Sequence, residues 1–360
     1  MSEAEIALLS DLVNIPSVSG DESRAANYLV RWLRKAGLRS YLDEAGNPCA
    51  EWGRGDRTIL LLGHIDTVPG RLEVKIDGDN LTGRGSVDAK GPLCAFASAL
   101  KRVAADSVEP RDFRVLLVGA VEEEADTSRG ARHIVRRFAT EIPPELVIIG
   151  EPSRWEKVTL GYRGALRGHG IHRTKSSHTG GPEPTSAELA FFGWRGVLDA
   201  ADELNRGGRE GLFWRISPRL LATSSSSDGL GECARLDFGI RIPPGRTVGG
   251  IRDLVTENLG GDIVFNGGEE PYLAPRNSAV VRGLLRGIRQ NGGKPGFTVK
   301  TGTSDMNVVG PAWNPAVAAY GPGDPLLGHT PEERISLAEY LKAIDVLEDT
   351  LTYLLASEEV

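Results

Sequence analysis

The sequence predicts an α/β domain interrupted by a smaller α+β domain, and three features of the chain carry this prediction. Short apolar runs rich in β-branched residues recur between helical patterns, as expected of a sheet buried on both faces: TILLLGH (58–64), RVLLVGAVEEE (114–124), LVIIGEPS (146–153) and PAVAAYGPGD (315–324). Between residues 156 and 272 the pattern changes to strand-like segments with two amphipathic stretches. The α/β pattern then resumes at residue 277. We therefore expect one domain from residues 1–155 and 273–360 and a second from residues 156–272.

Two amphipathic helices are predicted at the start of the chain. Apolar residues at helical spacing mark the first helix: Ile6, Leu9, Leu12 and Val13. The same spacing marks the second: Tyr28, Leu29, Trp32 and Leu33. Capping residues in SGDES (19–23) precede the second helix, and Gly37 ends it.

The insert is predicted to have a ferredoxin-like α+β fold. Its strand-like segments are KVTLGY (157–162), ARLDFGIRIPPG (234–245) and GDIVFNGG (261–268), and its amphipathic stretches are 186–204 and 248–259. The serine run at 224–227 is predicted to be a loop. After the insert, NSAVVRGLLRGIRQ (277–290) returns to the α/β pattern, and a helix over 335–354 ends it.

Composition excludes several classes of protein. The formal net charge of -7 argues against a nucleic-acid-binding surface, which normally shows a basic excess. The 3 cysteines are far apart and lack CxxC spacing, so neither a disulfide framework nor a thiolate zinc site is indicated. The N-terminal residues lack the pattern of a secretion signal, and no apolar run reaches membrane-spanning length. We expect a cytoplasmic enzyme or binding protein.

Acidic and imidazole side chains follow the buried runs. The first run ends in His64 with Asp66 close behind, the second ends in consecutive glutamates, and Glu151 and His329 follow the later runs. Ligands of open α/β sheets bind outside the carboxyl ends of the strands, so these side chains should gather at one edge. Alone, the glutamates would suit a solvated loop and the histidines a structural role. Together with Asp88 they form a crowd of charges that is costly unless cations lie among them.

Imidazole and carboxylate are ligands suited to zinc or a similar divalent ion, and one carboxylate can bridge two metals of a hydrolytic pair. The consecutive glutamates can then divide the work. One binds a metal, and a neighbour that binds none can act as general base toward the attacking water.

Five motifs, in this order, resemble the M20 family of two-metal aminoacylases and carboxypeptidases over nearly the whole chain: GHID (63–66), GRGSVDAKG (83–91), the glutamate run, GEPS (150–153) and GHTPEE (328–333). The resemblance implies two divalent ions, zinc by preference and cobalt as the alternative. It implies that His64 and Glu151 bind one ion, that Glu124 and His329 bind the other, and that Asp88 bridges them. Asp66, two residues beyond His64, would orient the imidazole.

The roles within the glutamate run depend on its register. An ungapped match to the family pattern makes Glu123 the general base and Glu124 the metal ligand. A shift by one residue would make Glu122 the base and Glu123 the ligand. We adopt the ungapped register.

The same resemblance assigns roles to residues in or near the insert, which would serve as a lid and dimerisation domain. His178 would reach the active site of the neighbouring subunit and stabilise the oxyanion, and Arg241 would contact a substrate carboxylate. Thr303 and Ser304 lie in a substrate-side loop, TGTSDMN (301–307). Without the resemblance, His178 would be a turn residue, Arg241 a surface ion-pair partner and the loop an ordinary turn.

Longer strings narrow the resemblance within the family. GHIDTVPG (63–70), GRGSVDAKGPL (83–93), VEEEADTSRGA (121–131) and KTGTSDMN (300–307) are most similar to the hydrolases that release lysine or ornithine from an amino-group carrier protein in lysine and arginine biosynthesis. This implies an acidic carrier protein as substrate. A basic stretch would suit such a partner: Arg163, Arg167, Arg173 and Lys175. His169 and His172, in the same stretch, are predicted to be solvated.

Other functions remain open at this level. Acetylornithine deacetylase and succinyl-diaminopimelate desuccinylase share every metal motif, and substrate choice depends on lid residues. A non-catalytic dimeric binding scaffold would lack ligands or the base, whereas this sequence has both. No partner among nucleic acids or membranes is expected.

Overall fold

A computed structural model describes residues 2–178 and 180–356. The chain divides into two compact units. The first contains the described residues up to Gly161, the segment Ala274–Val299 and the described residues from Ser304 onward. The second contains the described part of Tyr162–Leu273 together with Lys300–Thr303.

Helices and strands alternate along most of the chain. The α-helices are α1 Ser2–Asn14, α2 Ser23–Lys35, α3 Lys90–Asp106, α4 Arg129–Arg137, α5 Ser186–Asn205, α6 Val248–Leu259, α7 Ala279–Gln290, α8 Met306–Trp313 and α9 Leu337–Ala356. The strands are β1 Arg39–Leu42, β2 Pro48–Gly53, β3 Arg57–His64, β4 Lys75–Asp77, β5 Asn80–Thr82, β6 Phe113–Ala120, β7 Leu146–Gly150, β8 Lys157–Tyr162, β9 Gly164–Lys175, β10 Ser217–Ser227, β11 Gly231–Ile242, β12 Asp262–Phe265, β13 Tyr272–Leu273, β14 Gly296–Lys300, β15 Ala316–Ala319 and β16 Arg334–Ser336.

The first unit is built on a mixed sheet in the order β1-β2-β6-β3-β7-β15-β8. Its centre is parallel, because β3 runs parallel to both β6 and β7, and β15 runs parallel to β7. These central strands are the apolar runs of the sequence, and their side chains are almost fully buried. Helices α1, α3, α7 and α9 contribute to the same core, with Phe96 of α3 and Tyr340 of α9 among its largest buried side chains. Parallel strands place their carboxyl ends at one edge, where the predicted site residues begin.

The second unit has the βαββαβ order of a ferredoxin-like fold, as the sequence predicts. Strands β9 to β12 form an antiparallel sheet in the order β10-β11-β9-β12. Helices α5 and α6 pack on one face, burying Trp194 and Val255 against Leu236 and Phe238 of β11. A capping box between Thr185 and Glu188 begins α5. Within the described ranges, no helix is long and apolar enough to cross a membrane.

Four predictions about the insert are wrong. The segment KVTLGY (157–162) forms β8, which pairs with β15 in the sheet of the first unit rather than with the strands of the insert. The serine run lies in β10 rather than in a loop, because its backbone pairs with β11. Arg163 is buried, and its guanidinium donates hydrogen bonds to the carbonyls of Leu212 and Thr301 instead of facing a partner. His172 is 5% exposed rather than solvated, because it lies on the face of β9 that the helices cover.

Candidate metal centre

The parallel strands deliver the site residues to one edge of the sheet in the first unit. Strand β3 ends at His64, and Glu151 follows the end of β7. The glutamate run begins two residues after β6, whose last residue is Ala120. Asp88 lies in the loop between β5 and α3, and His329 lies in the connection between β15 and β16.

Asp88 lies between the two imidazoles. Its Oδ1 is 3.2 Å from Nε2 of His64, and its Oδ2 is 3.3 Å from Nε2 of His329. Nε2 of His329 is also 2.6 Å from Oε1 of Glu124. On the other side, Nε2 of His64 is 3.9 Å from Oε1 of Glu151. One carboxylate therefore faces one histidine with each of its oxygens, which is the arrangement that a bridging ligand requires.

Two sets of donor atoms share Asp88. One set is His64, Asp88 and Glu151, the other is Asp88, Glu124 and His329, and within each set the ligand atoms lie within 4.8 Å of one another. Each set combines one imidazole with two carboxylates, a donor set that suits zinc and similar divalent ions. The residues present therefore fit a pair of divalent cations.

The pKa shifts of the two histidines also indicate that the site favours positive charge. Burial lowers the pKa of His64, but hydrogen bonds with Asp66 and Asp88 outweigh it and hold that pKa well above its usual value. Hydrogen bonds with Asp88 and Glu124 raise the pKa of His329 to about 10. Without cations, the carboxylates thus recruit protons onto the imidazoles. Divalent cations would replace those protons and leave neutral imidazoles as ligands.

Glu123 lies beside the two ligand sets. Its Oε2 is 4.0 Å from Nε2 of His64. Burial raises the pKa of Glu123 well above its ordinary value; His64 opposes this effect, and Glu151, Asp305 and Glu124 add to it. A carboxyl group whose pKa is raised by burial suits proton transfer, and nearby cations would favour its ionised form. The role of Glu123 as general base remains a prediction.

Asp66 is fully buried and contacts both His64 and the backbone of the glutamate run. Its Oδ1 lies 3.3 Å from Nδ1 of His64, on the ring edge opposite Asp88. Its two oxygens accept the backbone N–H groups of Glu123 at 3.1 Å and of Glu124 at 3.0 Å, and Oδ2 also accepts the hydroxyl of Ser19 at 2.7 Å. Burial opposes its ionisation, but the hydrogen bonds with His64 and Ser19 outweigh it and keep the pKa of Asp66 low. Asp66 therefore fixes one imidazole and the glutamate run together.

Glu122 is directed elsewhere. Its carboxylate accepts hydrogen bonds from Thr127 and Arg129, both at 2.7 Å. Among the donor sets found in the described residues, none includes Glu122. Glu123 and Glu124 together form a further donor set with His64. The ungapped register, with Glu123 as base and Glu124 as ligand, remains a prediction.

Buried polar residues that the sequence did not single out also shape the site. Asn47 is fully buried, and its amide accepts the N–H of Val121 at 3.0 Å and donates to the carbonyl of Gly130 at 3.3 Å, so it clasps both ends of the acidic loop. Glu22 accepts the N–H of Glu122 at 3.1 Å. Asn47 lies in no motif and Glu22 lies in the predicted capping segment 19–23, so only the tertiary structure shows that both bind the loop.

The predicted lid and loop residues have local partners. His178 is exposed, and its Nδ1 accepts the N–H of Gly180 at 3.1 Å. In the second unit, Nη1 of Arg241 lies 3.4 Å from the hydroxyl of Thr303. Burial and the nearby Arg167 lower the pKa of Arg241. In the first unit, Ser304 is buried and its hydroxyl accepts the N–H of Met306 at 3.2 Å. The roles of these residues toward a substrate remain predictions.

Comparisons with known proteins find relatives over nearly the whole chain. Residues 60–353 match the model of a family described as peptidase family M20/M25/M40. The [LysW]-lysine hydrolase of Deinococcus radiodurans is 41% identical over 98% of this chain and 98% of its own length. The [LysW]-lysine/[LysW]-ornithine hydrolase of Sulfurisphaera tokodaii is 30% identical over 98% of this chain and 94% of its own length.

Solved structures share the fold. An M20 family metallo-carboxypeptidase from Sulfolobus solfataricus, Sso-CP2, superposes with a TM-score of 0.76 at 19% identity, covering 98% of this chain and 99% of that one. The YXEP protein of Bacillus subtilis, described as a dinuclear metal-binding peptidase, gives a TM-score of 0.70 at 13% identity and covers 98% of both chains.

Proposed function

The chain belongs to peptidase family M20/M25/M40, and from this membership we propose that it releases lysine or ornithine from the carrier protein LysW in amino-acid biosynthesis. It is a metal-dependent hydrolase of amide bonds. The bond cut would join the α-amino group of the amino acid to the γ-carboxyl of the C-terminal glutamate of the carrier. The names of the relatives that match over nearly their full length support this substrate.

One observation carries the reaction: Asp88 faces His64 with one oxygen and His329 with the other, and Glu123 lies beside them. We propose that His64 and Glu151 hold one ion, that Glu124 and His329 hold the second, and that Asp88 bridges them. Zinc is the preferred metal and cobalt the alternative. When bound, such a pair polarises the amide carbonyl and lowers the pKa of the attacking water.

The residues of the chain complete the mechanism. Glu123 accepts the proton of the attacking water on its carboxylate and later delivers it to the departing amine. Asp66 keeps the imidazole of His64 and the backbone of the glutamate run in place throughout. His178 stabilises the developing oxyanion of the neighbouring subunit's substrate. Arg241, with Thr303 and Ser304, binds the substrate, and the arginine takes its carboxylate.

A homodimer through the second unit accompanies this mechanism. Strand β10 lies at an edge of its sheet, and almost all of its residues are exposed. A long exposed edge offers unpaired backbone groups to another strand. Exposed apolar side chains lie on the same strand and on α5: Leu220, Leu221, Phe191 and Phe192. These features support pairing of two copies along β10.

The carrier would approach exposed cations of the second unit. Arg167, Arg173 and Lys175 are exposed and alternate along β9, so they share one face of the sheet. With Arg163 buried, this face is the basic surface that remains for an acidic partner. A cytoplasmic location is part of the proposal.

The substrate is tested by measuring kcat/KM of the purified protein on four compounds. Carrier-linked lysine, carrier-linked ornithine, acetylornithine and succinyl-diaminopimelate differ in what is attached to the amine that the enzyme frees. We expect the carrier-linked substrates to be cleaved with the highest kcat/KM. Higher efficiency on acetylornithine or succinyl-diaminopimelate would assign the chain to one of those activities, and no cleavage of any would support a binding scaffold.

A further inference from the structure

Glu333, four residues beyond His329, is fully buried beneath the loop that carries Asp88. Its Oε1 accepts three backbone N–H groups of that loop, from Gly85 at 3.0 Å, Val87 at 3.0 Å and Asp88 at 3.2 Å. Its Oε2 lies 2.6 Å from Nη1 of Arg84. One carboxylate thus gathers the loop around itself.

Burying a carboxylate is costly unless it is paired and fully hydrogen-bonded. Glu333 meets both conditions, and its hydrogen bonds lead to the backbone of the bridging ligand itself. The position also links two segments of the site, because the stretch 329–333 contains both His329 and Glu333. A carboxylate used only for packing could be replaced by an apolar side chain, whereas this one fixes where the backbone of Asp88 lies.

We propose that Glu333 is a positioning residue for the metal centre: it fixes the backbone of the 85–88 loop so that Asp88 presents one oxygen to each of the two ligand sets. The inference rests on the proposed two-ion site. Ligands that are held in place before an ion arrives bind it more tightly, because less order must be imposed on binding. The contribution of Glu333 should therefore appear in ion affinity, which can be measured without any substrate.

The test compares Glu333→Gln with wild type and with Glu332→Gln. Glutamine keeps the size of the side chain but removes its charge and turns a donor group toward Arg84. Glu332 is the exposed neighbour and serves as the matched control. The metal-free proteins are checked for folding by circular dichroism, and zinc and cobalt binding is then titrated against a competing chelator. For cobalt, the absorption spectrum reports the ligand geometry.

We expect Glu333→Gln to fold and to bind the weaker of the two ions about 10- to 100-fold less tightly, with an altered cobalt spectrum, while Glu332→Gln matches wild type. Affinities within twofold of wild type for both ions would overturn the positioning role. If Glu333→Gln does not fold, Arg84→Gln provides the same test, since it removes the outer anchor of the carboxylate. Unchanged ion affinity in that variant would overturn the inference. A wild type that binds no divalent ion would instead refute the metal centre, and the inference with it.

Discussion

The carboxylate of Asp66 accepts the backbone N–H of Glu123 at 3.1 Å. The same carboxylate lies 3.3 Å from Nδ1 of His64 and also accepts the N–H of Glu124. One buried side chain thus sets the positions of one proposed ligand, the proposed base and the ligand next to it. Glu123 and Glu124 are held just after β6 because this carboxylate binds their backbone N–H groups.

Asp66→Asn should weaken the site without removing any ligand. Asparagine is neutral, and its amide would place a donor against either the N–H groups of the glutamate run or the ring of His64. We expect ion affinity or kcat/KM to fall about 10- to 100-fold. Metal titration and steady-state kinetics measure this. The control is Asp21→Asn, at an exposed position in the loop between α1 and α2, and it should behave as wild type.

Glu123→Gln should abolish catalysis while leaving the ions bound. The amide keeps the shape of the side chain but cannot accept the proton of the attacking water, so kcat should fall on the order of a hundredfold or more. Metal content is measured on the same sample.

Glu122→Gln is the matched control for that variant, because its carboxylate is bound by Thr127 and Arg129. It should retain both ions and most of the activity. The register would be wrong by one residue if Glu122→Gln lost catalysis while Glu123→Gln lost an ion.

His172 should make the protein sensitive to acid. It is buried, its Nε2 has no hydrogen-bond partner among the described residues, and burial lowers its pKa below the ordinary value of 6.5. As the pH falls through that ordinary value, the unfolded chain takes up the proton before the folded chain does, so the free energy of unfolding decreases. The expected result is that the thermal midpoint of His172→Gln falls less than that of wild type between pH 7.5 and 5.

The control for this experiment is Ser225→Ala, at an exposed position of β10 in the second unit. Neither side chain titrates, so its midpoint should fall with pH as steeply as that of wild type. Parallel pH profiles for wild type and His172→Gln would show that His172 does not contribute to the loss of stability in acid.

Reversing charges on β9 should weaken capture of the carrier. For the double variant Arg173→Glu/Lys175→Glu, we expect kcat/KM on carrier-linked lysine to fall about tenfold at low salt and the loss to shrink as salt is added. A small amide that lacks the protein should be cleaved as before, because the metal centre is unchanged. The double variant Arg195→Glu/Arg206→Glu, on and just after α5, provides the matched control. Equal losses on both substrates would indicate a damaged lid, and no loss on either would place the docking surface elsewhere.

The site residues were easiest to predict where an acidic or imidazole side chain follows a buried strand. His64, Glu123, Glu124 and Glu151 follow buried runs directly, and parallel pairing of those runs is enough to bring them together. The α/β fold with its ferredoxin-like insert was also predictable, because apolar periodicity can be recognised within a short segment of sequence.

Residues that act through tertiary contacts were missed or misjudged. Asn47 and Glu333 hold backbone groups distant in sequence. Asn47 lies in no motif, and the GHTPEE motif that contains Glu333 does not indicate what its carboxylate binds. Arg163 was expected to be exposed because it lies in a basic stretch, yet backbone carbonyls from two other segments enclose its guanidinium. The serine run was expected to be a loop, but pairing with β11 outweighs its weak strand propensity.

We propose that amide hydrolysis depends on two divalent ions, one held with His64 and the other with His329, and that Asp88 belongs to both ligand sets. The most direct test of this proposal is to remove all metal from the protein with a chelator, add back zinc or cobalt in steps, and measure free lysine released from carrier-linked lysine. We predict no release without metal and a rise to full turnover that ends at two ions bound per chain. Full turnover by a preparation shown to be free of metal would contradict the account.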